Sequence, residues 1–319
     1  MVKYSLYMLL GLFLLTGCQK ELCMDHHHDG MKLNVRFDWS GEAPSNVNGM
    51  ILLLYPEDGS APLRFTFSDP QGGTISVTSG NYRALCLNDN ELLRLENTDD
   101  WNSISVTTGE TNVVSSAAFG GATNAPRAPS AEEERVLREP PLLYTATNTE
   151  VYVKATDEAQ ELRFTPKMPL SIMQIRVEDV ENVEYIQTVS GGVTGLSSSL
   201  CLTSLKPSAD HCTMPVQMHV TADGALEGTL RYFGHCPDPS HELSHALSVY
   251  TMLIDWSKQQ SNYNISSQLH DTTHPGGEDE PQNAEVIITE MNLPEPRPAE
   301  GGFQADLNEW SIDNIDIQM

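Results

Sequence analysis

Apolar and polar residues alternate with a period of two along most of the chain. Met31, Leu33, Val35, Phe37 and Trp39 alternate with Lys32, Asn34, Arg36 and Asp38. That is the pattern of a half-buried strand, whose successive side chains point to opposite faces. Residues 50–55 form an unbroken apolar run closed by Pro56, which fits a strand covered on both faces. Alternation returns at Leu63, Phe65 and Phe67 and again at Ile75 and Val77, with Asp58-Gly59 and Gly72-Gly73 as turn signals. Residues 82–87 and 104–106 continue it. Short strands at these intervals, with no long stretch of 3.6-residue periodicity between them, predict an all-β chain built as a sandwich.

The pattern stops at Phe119. The stretch Gly120-Gly121-Ala122-Thr123-Asn124-Ala125-Pro126-Arg127-Ala128-Pro129 has no period, and a charged patch over 132–139, long enough for one helical turn, leads to Pro140-Pro141. This reads as a domain boundary. Strand patterning resumes at 151–153 and runs through 162–164, 172–177, 183–189, 216–220, 226–232, 248–254 and 285–289, with a polar loop over 270–283. The predicted organisation is an N-terminal β-sandwich over 31–118, a linker over 119–148 and a C-terminal β-sandwich over 149–319. Ile315, Ile317 and Met319 alternate with Asp316 and Gln318, so the last segment is expected to be a packed strand with Ile315 and Ile317 buried on one face.

Ahead of the first strand, Lys3 precedes an apolar stretch over 9–15 that is too short to span a bilayer and reads as an export signal over 1–17. It ends in Leu15-Thr16-Gly17-Cys18, the lipobox arrangement in which the cysteine is acylated. Acyl chains contribute about 0.8 kcal/mol per buried CH₂, enough in combination to anchor a protein without a spanning helix. Residues 18–30 are then a lipidated tether, with Gln19, Lys20 and Glu21 following the anchor. Of the other cysteines, Cys23, Cys86, Cys201, Cys212 and Cys236 are odd in number, so disulfides cannot pair them all within the chain. Cys201 and Cys212 are spaced to close a short loop. No CxxC pair occurs, which leaves a zinc ribbon without support.

Charge narrows the function. Asp and Glu number 44 against 18 Lys and Arg, a net charge of −26, and such a surface repels nucleic acid. No Gly-rich phosphate loop follows a strand and no G-x-S-x-G is present, so neither nucleotide binding nor an α/β-hydrolase triad is expected. His241-Glu242-Leu243-Ser244-His245 fits the H-E-x-x-H pattern that binds zinc when both histidines share one helix face. Pro237 and Pro239 just upstream and the β-branched run after Leu247 leave no length for that helix, and the expected setting is a loop entering a strand. Asp25-His26-His27-His28-Asp29 offers His26 and His28 as further metal candidates, but adjacent histidines point apart in regular backbone and the segment reads as solvated linker. No metal, cofactor or catalytic residue is expected.

A lipobox followed by Cys23-Met24-Asp25-His26 and a strand ending in Asp38-Trp39 resembles a group of lipoproteins from Bacteroidota, the fimbrillin-associated anchor and minor subunits of type V pili. Gly80-Asn81-Tyr82 entering a strand, Pro141-Leu142-Leu143-Tyr144, Phe164-Thr165-Pro166, the small-residue stretch from Ser190 to Leu196, and Gly301-Gly302-Phe303 leading to Trp310 extend the resemblance over the whole chain. It implies two tandem transthyretin-like β-sandwiches, outer-membrane attachment through Cys18, exposure at the cell surface, pilus subunits as partners, and no catalytic residues. The leading expectation is a non-catalytic fimbrial anchor, assembly or adhesion component. The alternative is a surface glycan- or protein-binding lipoprotein using Trp101, Trp256 or Trp310 as aromatic platforms. A zinc protease through His241 and His245 is third.

Overall fold

The computed structural model describes residues 30–39, 41, 43–114, 119, 125–235, 245–270, 283–296 and 310–315. The first strands are β1 (Met31–Phe37), β2 (Met50–Pro56), β3 (Leu63–Phe67), β4 (Gly72–Val77), β5 (Gly80–Asn88), β6 (Leu93–Glu96) and β7 (Ser105–Thr108). Then come β8 (Arg135–Val136), β9 (Thr145–Val153), β10 (Gln160–Phe164), β11 (Ser171–Val177), β12 (Val180–Glu181), β13 (Ile186–Ser197) and β14 (Ser199–Cys201). The last are β15 (His211–Val220), β16 (Leu226–Tyr232), β17 (Ala246–Leu253), β18 (Lys258–Asn264), β19 (Ala284–Ile288), β20 (Met291–Asn292) and β21 (Trp310–Ile315). A single helical turn, α1 (Ser266–His270), and 3-10 turns at Pro129–Ala131 and Val183–Tyr185 complete the described elements. The chain is all-β, as its periodicity predicts.

Two sheets make the first sandwich. One has the order β10-β1-β4 and the other β3-β2-β5-β9. Leu33, Val35 and Phe37 of β1 face Met50, Leu52 and Leu54 of β2 across a core that also takes Val151 and Val153 from β9 and Leu162 and Phe164 from β10. The unbroken apolar run of β2 has the predicted cause: its alternate residues Ile51, Leu53 and Tyr55, with Leu85 and Leu87 of β5, are buried on the opposite face in a second core. That core is shared with the rest of the chain.

The second half is organised around one corner strand. β15 pairs with β13 over its first part and with β16 over its last residues, Met218 to Val220, so it passes from one layer to the other, as corner strands of packed sheets do. The path β19-β11-β16-β15-β13-β17-β18-β21 thus folds over itself and encloses Met173, Ile175, Val216, Leu230, Val249 and Val286. At the corner the Met218 side chain packs over a glycine: a Cβ on Gly191 would lie 2.8 Å from the Met218 sulfur.

Several expectations are corrected. The division expected between 148 and 149 falls inside β9, which pairs with β5, while β10 pairs parallel with β1. Both strands fill the first core, so they complete the first sandwich instead of opening the second. β7, expected in the first sandwich, pairs with β14 and buries Val106 in the shared core. The charged patch over 132–139 forms no α-turn: it follows a 3-10 turn and contains β8, which pairs with β15. Residues 183–185 are a 3-10 turn, with the strand starting at Ile186. The final strand exists, but it pairs parallel with β18 at the sheet edge, and Ile315 is 37% exposed instead of buried. Ile317 lies outside the described residues.

Candidate functional site

His245 sits directly before β17. Its N–H donates to the Ser266 hydroxyl at 2.9 Å, and its carbonyl accepts from the Ile265 N–H at 2.9 Å. Its ring is fully buried over Gly195, with Nδ1 3.3 Å from the Thr194 carbonyl. His235 packs edge-on against it, with centroids 6.3 Å apart. A ring used this way is part of the packing between β13 and β17. His241, His26, His28 and Cys18 lie outside the described residues, as do Cys23 and Cys236.

The loop considered between Cys201 and Cys212 is not closed, because Cys201 is a free thiol. It lies on β14 beside β7, whereas Cys212 on β15 is buried and donates to the Ser197 carbonyl at 3.6 Å. Cys86 is also a free, buried thiol, and burial pushes its ionisation up to about 12. Of the three candidate tryptophans, Trp101 is buried edge-on to Tyr55, with the Arg83 guanidinium 5.1 Å from its ring. Trp310 stacks on Phe119 and meets Tyr250 edge-on. Only Trp256 stands exposed among them.

The concave feature that the fold builds is a groove of about 620 Å³ along the open side of the first sandwich, between edge strands β9 and β10. Its floor is apolar, from buried Leu33, Val151 and Leu162, and its rim is charged, from Glu150, Lys154 and Arg163. Each of the two strands has a sheet neighbour on one side only, so main-chain donors and acceptors face the groove. Of these rim charges Arg163 is tied into ion pairs: it meets Glu161 at 2.8 Å and Asp38 at 3.4 Å, and Arg36 meets the same Glu161 at 3.1 Å. Charged edges of this kind discourage indiscriminate strand pairing while leaving a matched strand able to add. The sequence did not mark this groove, because β9 and β10 read as interior strands of a second domain.

The chain was compared with known proteins. A relative from Bacteroides ovatus named "Putative fimbrium anchoring subunit Fim4B" is 24% identical over 203 residues, which is 63% of this chain and 56% of that protein. The match therefore spans little more than half of the relative's length. Among solved structures, a "putative adhesin" from Bacteroides ovatus superposes with a TM-score of 0.63 at 17% identity, covering 89% of this chain and 99% of that one. A Bacteroides thetaiotaomicron structure described under "putative polysaccharide binding proteins (DUF1812)" gives 0.51 at 10% identity over 81% of this chain and 91% of that one. Both likenesses are of fold. The family model described as "Domain of unknown function (DUF5119)" matches residues 17–217, well over half of the sequence, and the chain belongs to that family.

Proposed function

We propose that the protein is a non-catalytic, lipid-anchored component of the cell envelope that fastens fimbrial subunits to the outer membrane. The observation that carries this reading is where the chain enters the fold. Met31 pairs with Val77 at one end of the first sandwich. The opposite end of β1 lies beside the end of β10, from which the chain runs on into β11 of the second half: the Asp38 N–H donates to the Phe164 carbonyl, and Trp39 packs edge-on against Tyr144. A lipid on Cys18 would hold that first end at the membrane and leave the second half pointing away from it. The name of the Bacteroides ovatus relative supports the same role. We read the chain as two units, the first from β1–β5 with β9 and β10, the second from the strands around β15, a division that the pairings support. Partners would add strands at the free edges, the groove between β9 and β10 foremost.

The glycan-binding alternative needs neighbouring aromatic platforms. Among the described residues the exposed aromatics Tyr152 and Trp256 belong to different sheets, since Tyr152 pairs with Asn81 on β5 and Trp256 caps the β17–β18 hairpin. The decisive experiment is Cys18→Ala in cells. The variant is expected to leave the detergent phase for the soluble fraction and to release fimbriae into the medium. A variant that stays in the detergent phase with its fimbriae attached would refute the reading.

A further inference from the structure

One end of the second half carries an unusual hairpin. β17 and β18 are joined by Ile254-Asp255-Trp256, with the Trp256 N–H bonded to the Leu253 carbonyl at 2.9 Å and the Leu253 N–H to the Ser257 carbonyl at 3.0 Å. The third loop residue of such a hairpin takes a left-handed backbone, the place of a glycine or asparagine. Here it is Trp256, with φ of 68°. The two large apolar side chains of this loop are turned to solvent, Ile254 at 55% and Trp256 at 45% exposure. Local folding gains nothing from a tryptophan there. A strained backbone that presents an exposed aromatic is a reason to look for a partner.

The surroundings say what kind of partner. The loops at this end are 178–185, 221–225, 254–257 and 289–293. They are adjacent: the Ile254 N–H donates to the Tyr185 carbonyl, the Met291 N–H to the Asp179 carbonyl, and a Cβ on Gly224 would touch Val183. Together they carry seven carboxylates and no lysine or arginine. Of the cations that border these loops, Arg176 on β11 is taken up by Glu178 at 2.9 Å, Asp223 at 2.6 Å and Glu227, and Lys258 at the start of β18 is buried with its ammonium 5.6 Å from the Trp310 ring. Its neighbours the Thr221 hydroxyl and Arg176 hold Asp223 down to about 2, so this carboxylate stays anionic through any physiological pH. We infer that the Ile254–Trp256 tip is a docking surface for a protein partner with an apolar pocket ringed by lysine or arginine. A second copy of this chain would bring the same anionic rim and be repelled. An anionic lipid surface is excluded in the same way. This inference rests on the fimbrial reading for the identity of the partner, not for the site itself.

The test measures binding of the full-length protein in detergent to each fimbrial subunit purified from the same cells, for wild type, Trp256→Gly, Ile254→Ser and Glu184→Lys. Trp256→Gly relieves the left-handed position, so its melting temperature should be no lower than wild type while affinity falls about tenfold or more, as for a central aromatic anchor. Glu184→Lys should weaken binding and flatten its dependence on salt. Wild type and Trp256→Gly binding one subunit equally would overturn this surface alone. Binding of no subunit by either protein would overturn the fimbrial reading and this partner together. A dimer of the wild type that dissociates in Trp256→Gly would assign the tip to a second copy and overturn the inference.

Discussion

Gly195 and His245 make a quantitative test of how the H-E-x-x-H segment is used. Gly195 sits where the register between β13 and β15 shifts, with φ of 76°. A Cβ added there would lie 2.6 Å from His245 Nδ1 and 3.0 Å from Cε1. Gly195→Ala therefore carries two penalties. The left-handed backbone costs an L-residue about 1 kcal/mol. Overlap with a fully buried ring forces the ring off its Thr194 contact, at about 1–3 kcal/mol for overpacking in a dense core. The sum is about 3 kcal/mol. His245→Ala removes the ring and should cost about 2–4 kcal/mol through the cavity it leaves, but it also removes the obstacle. In the double variant only the backbone part of the glycine penalty survives, so the two losses should fall short of additivity by about 1–2 kcal/mol. Urea unfolding measures this, provided the slope m is unchanged. Strict additivity, or a neutral Gly195→Ala, would refute the packing argument. The same titration repeated with zinc separates packing from ligation: a bound metal stabilises by RT ln(1 + [L]/Kd), and no rise of the wild-type midpoint is expected.

Two further outcomes follow from burial. Ile312 and Ile315 on β21 are 48% and 37% exposed, so changing either to Ser should move stability by about 0.5 kcal/mol or less, whereas Trp310→Ala, which loses Phe119 and Tyr250, should cost about 2 kcal/mol; a larger loss at Ile315 than at Trp310 in chemical denaturation would show that the strand is packed the other way. Burial raises the Cys86 thiol from near 9 to about 12, so its contribution is full below about pH 8.5 and is lost as pH climbs from there toward 12, because the unfolded chain ionises first; Cys86→Ala should flatten the alkaline limb of the stability curve between pH 9 and 12, and an unchanged limb would contradict the burial.

The parts of the fold that were legible in the sequence are those where the side chains themselves record the burial. β1 alternates because one face is solvated, and β2 is apolar throughout because both faces are covered. β18 shows the limit. Lys258-Gln259-Gln260-Ser261-Asn262 looks like a loop, yet all five residues are buried. Several of their polar groups answer one another: the Ser248 hydroxyl donates to the Asn262 side-chain oxygen at 2.6 Å, the Gln260 side-chain N–H to the same oxygen at 2.9 Å, and the Asn262 side-chain N–H to the Asn314 side-chain oxygen at 2.9 Å. A polar strand is tolerated inside when its neighbours satisfy it, and no window of one strand contains that information. β13 is legible only over its first residues, since further on the Met218 and Val216 side chains pack against Gly191 and small residues stand where a strand pattern would show β-branched ones. Alternation in β21 identified a strand correctly and its burial wrongly, because a period of two does not distinguish an edge from a centre. Trp256 lies in a turn, where hydrophobic period has no meaning, so the feature that points most directly to a partner was visible only as one tryptophan among three.

How the two halves are joined bears on what an anchor must do. The chain passes between them three times: between β5 and β7, between β8 and β9, and between β10 and β11. A single flexible linker, the arrangement expected at 119–148, would let the distal half swing under load. Here the outer faces of β2 and β5 are instead buried with the second half in one core, where Leu53 and Leu85 lie with Val193 and Leu247. Pulling on the distal tip then acts on a continuous apolar contact and on three covalent crossings in parallel. Separating the halves would expose Ile51, Leu53, Tyr55, Leu85 and Leu87 together, and side chains of this kind resist exposure by roughly 1.5–3 kcal/mol each. Under the role proposed above, load would pass from the 254–257 hairpin to the start of β1 through this shared core. That is the mechanical property that a protein holding a filament to a membrane requires, and it comes from the same two-faced β2 that the apolar run at 50–55 announces.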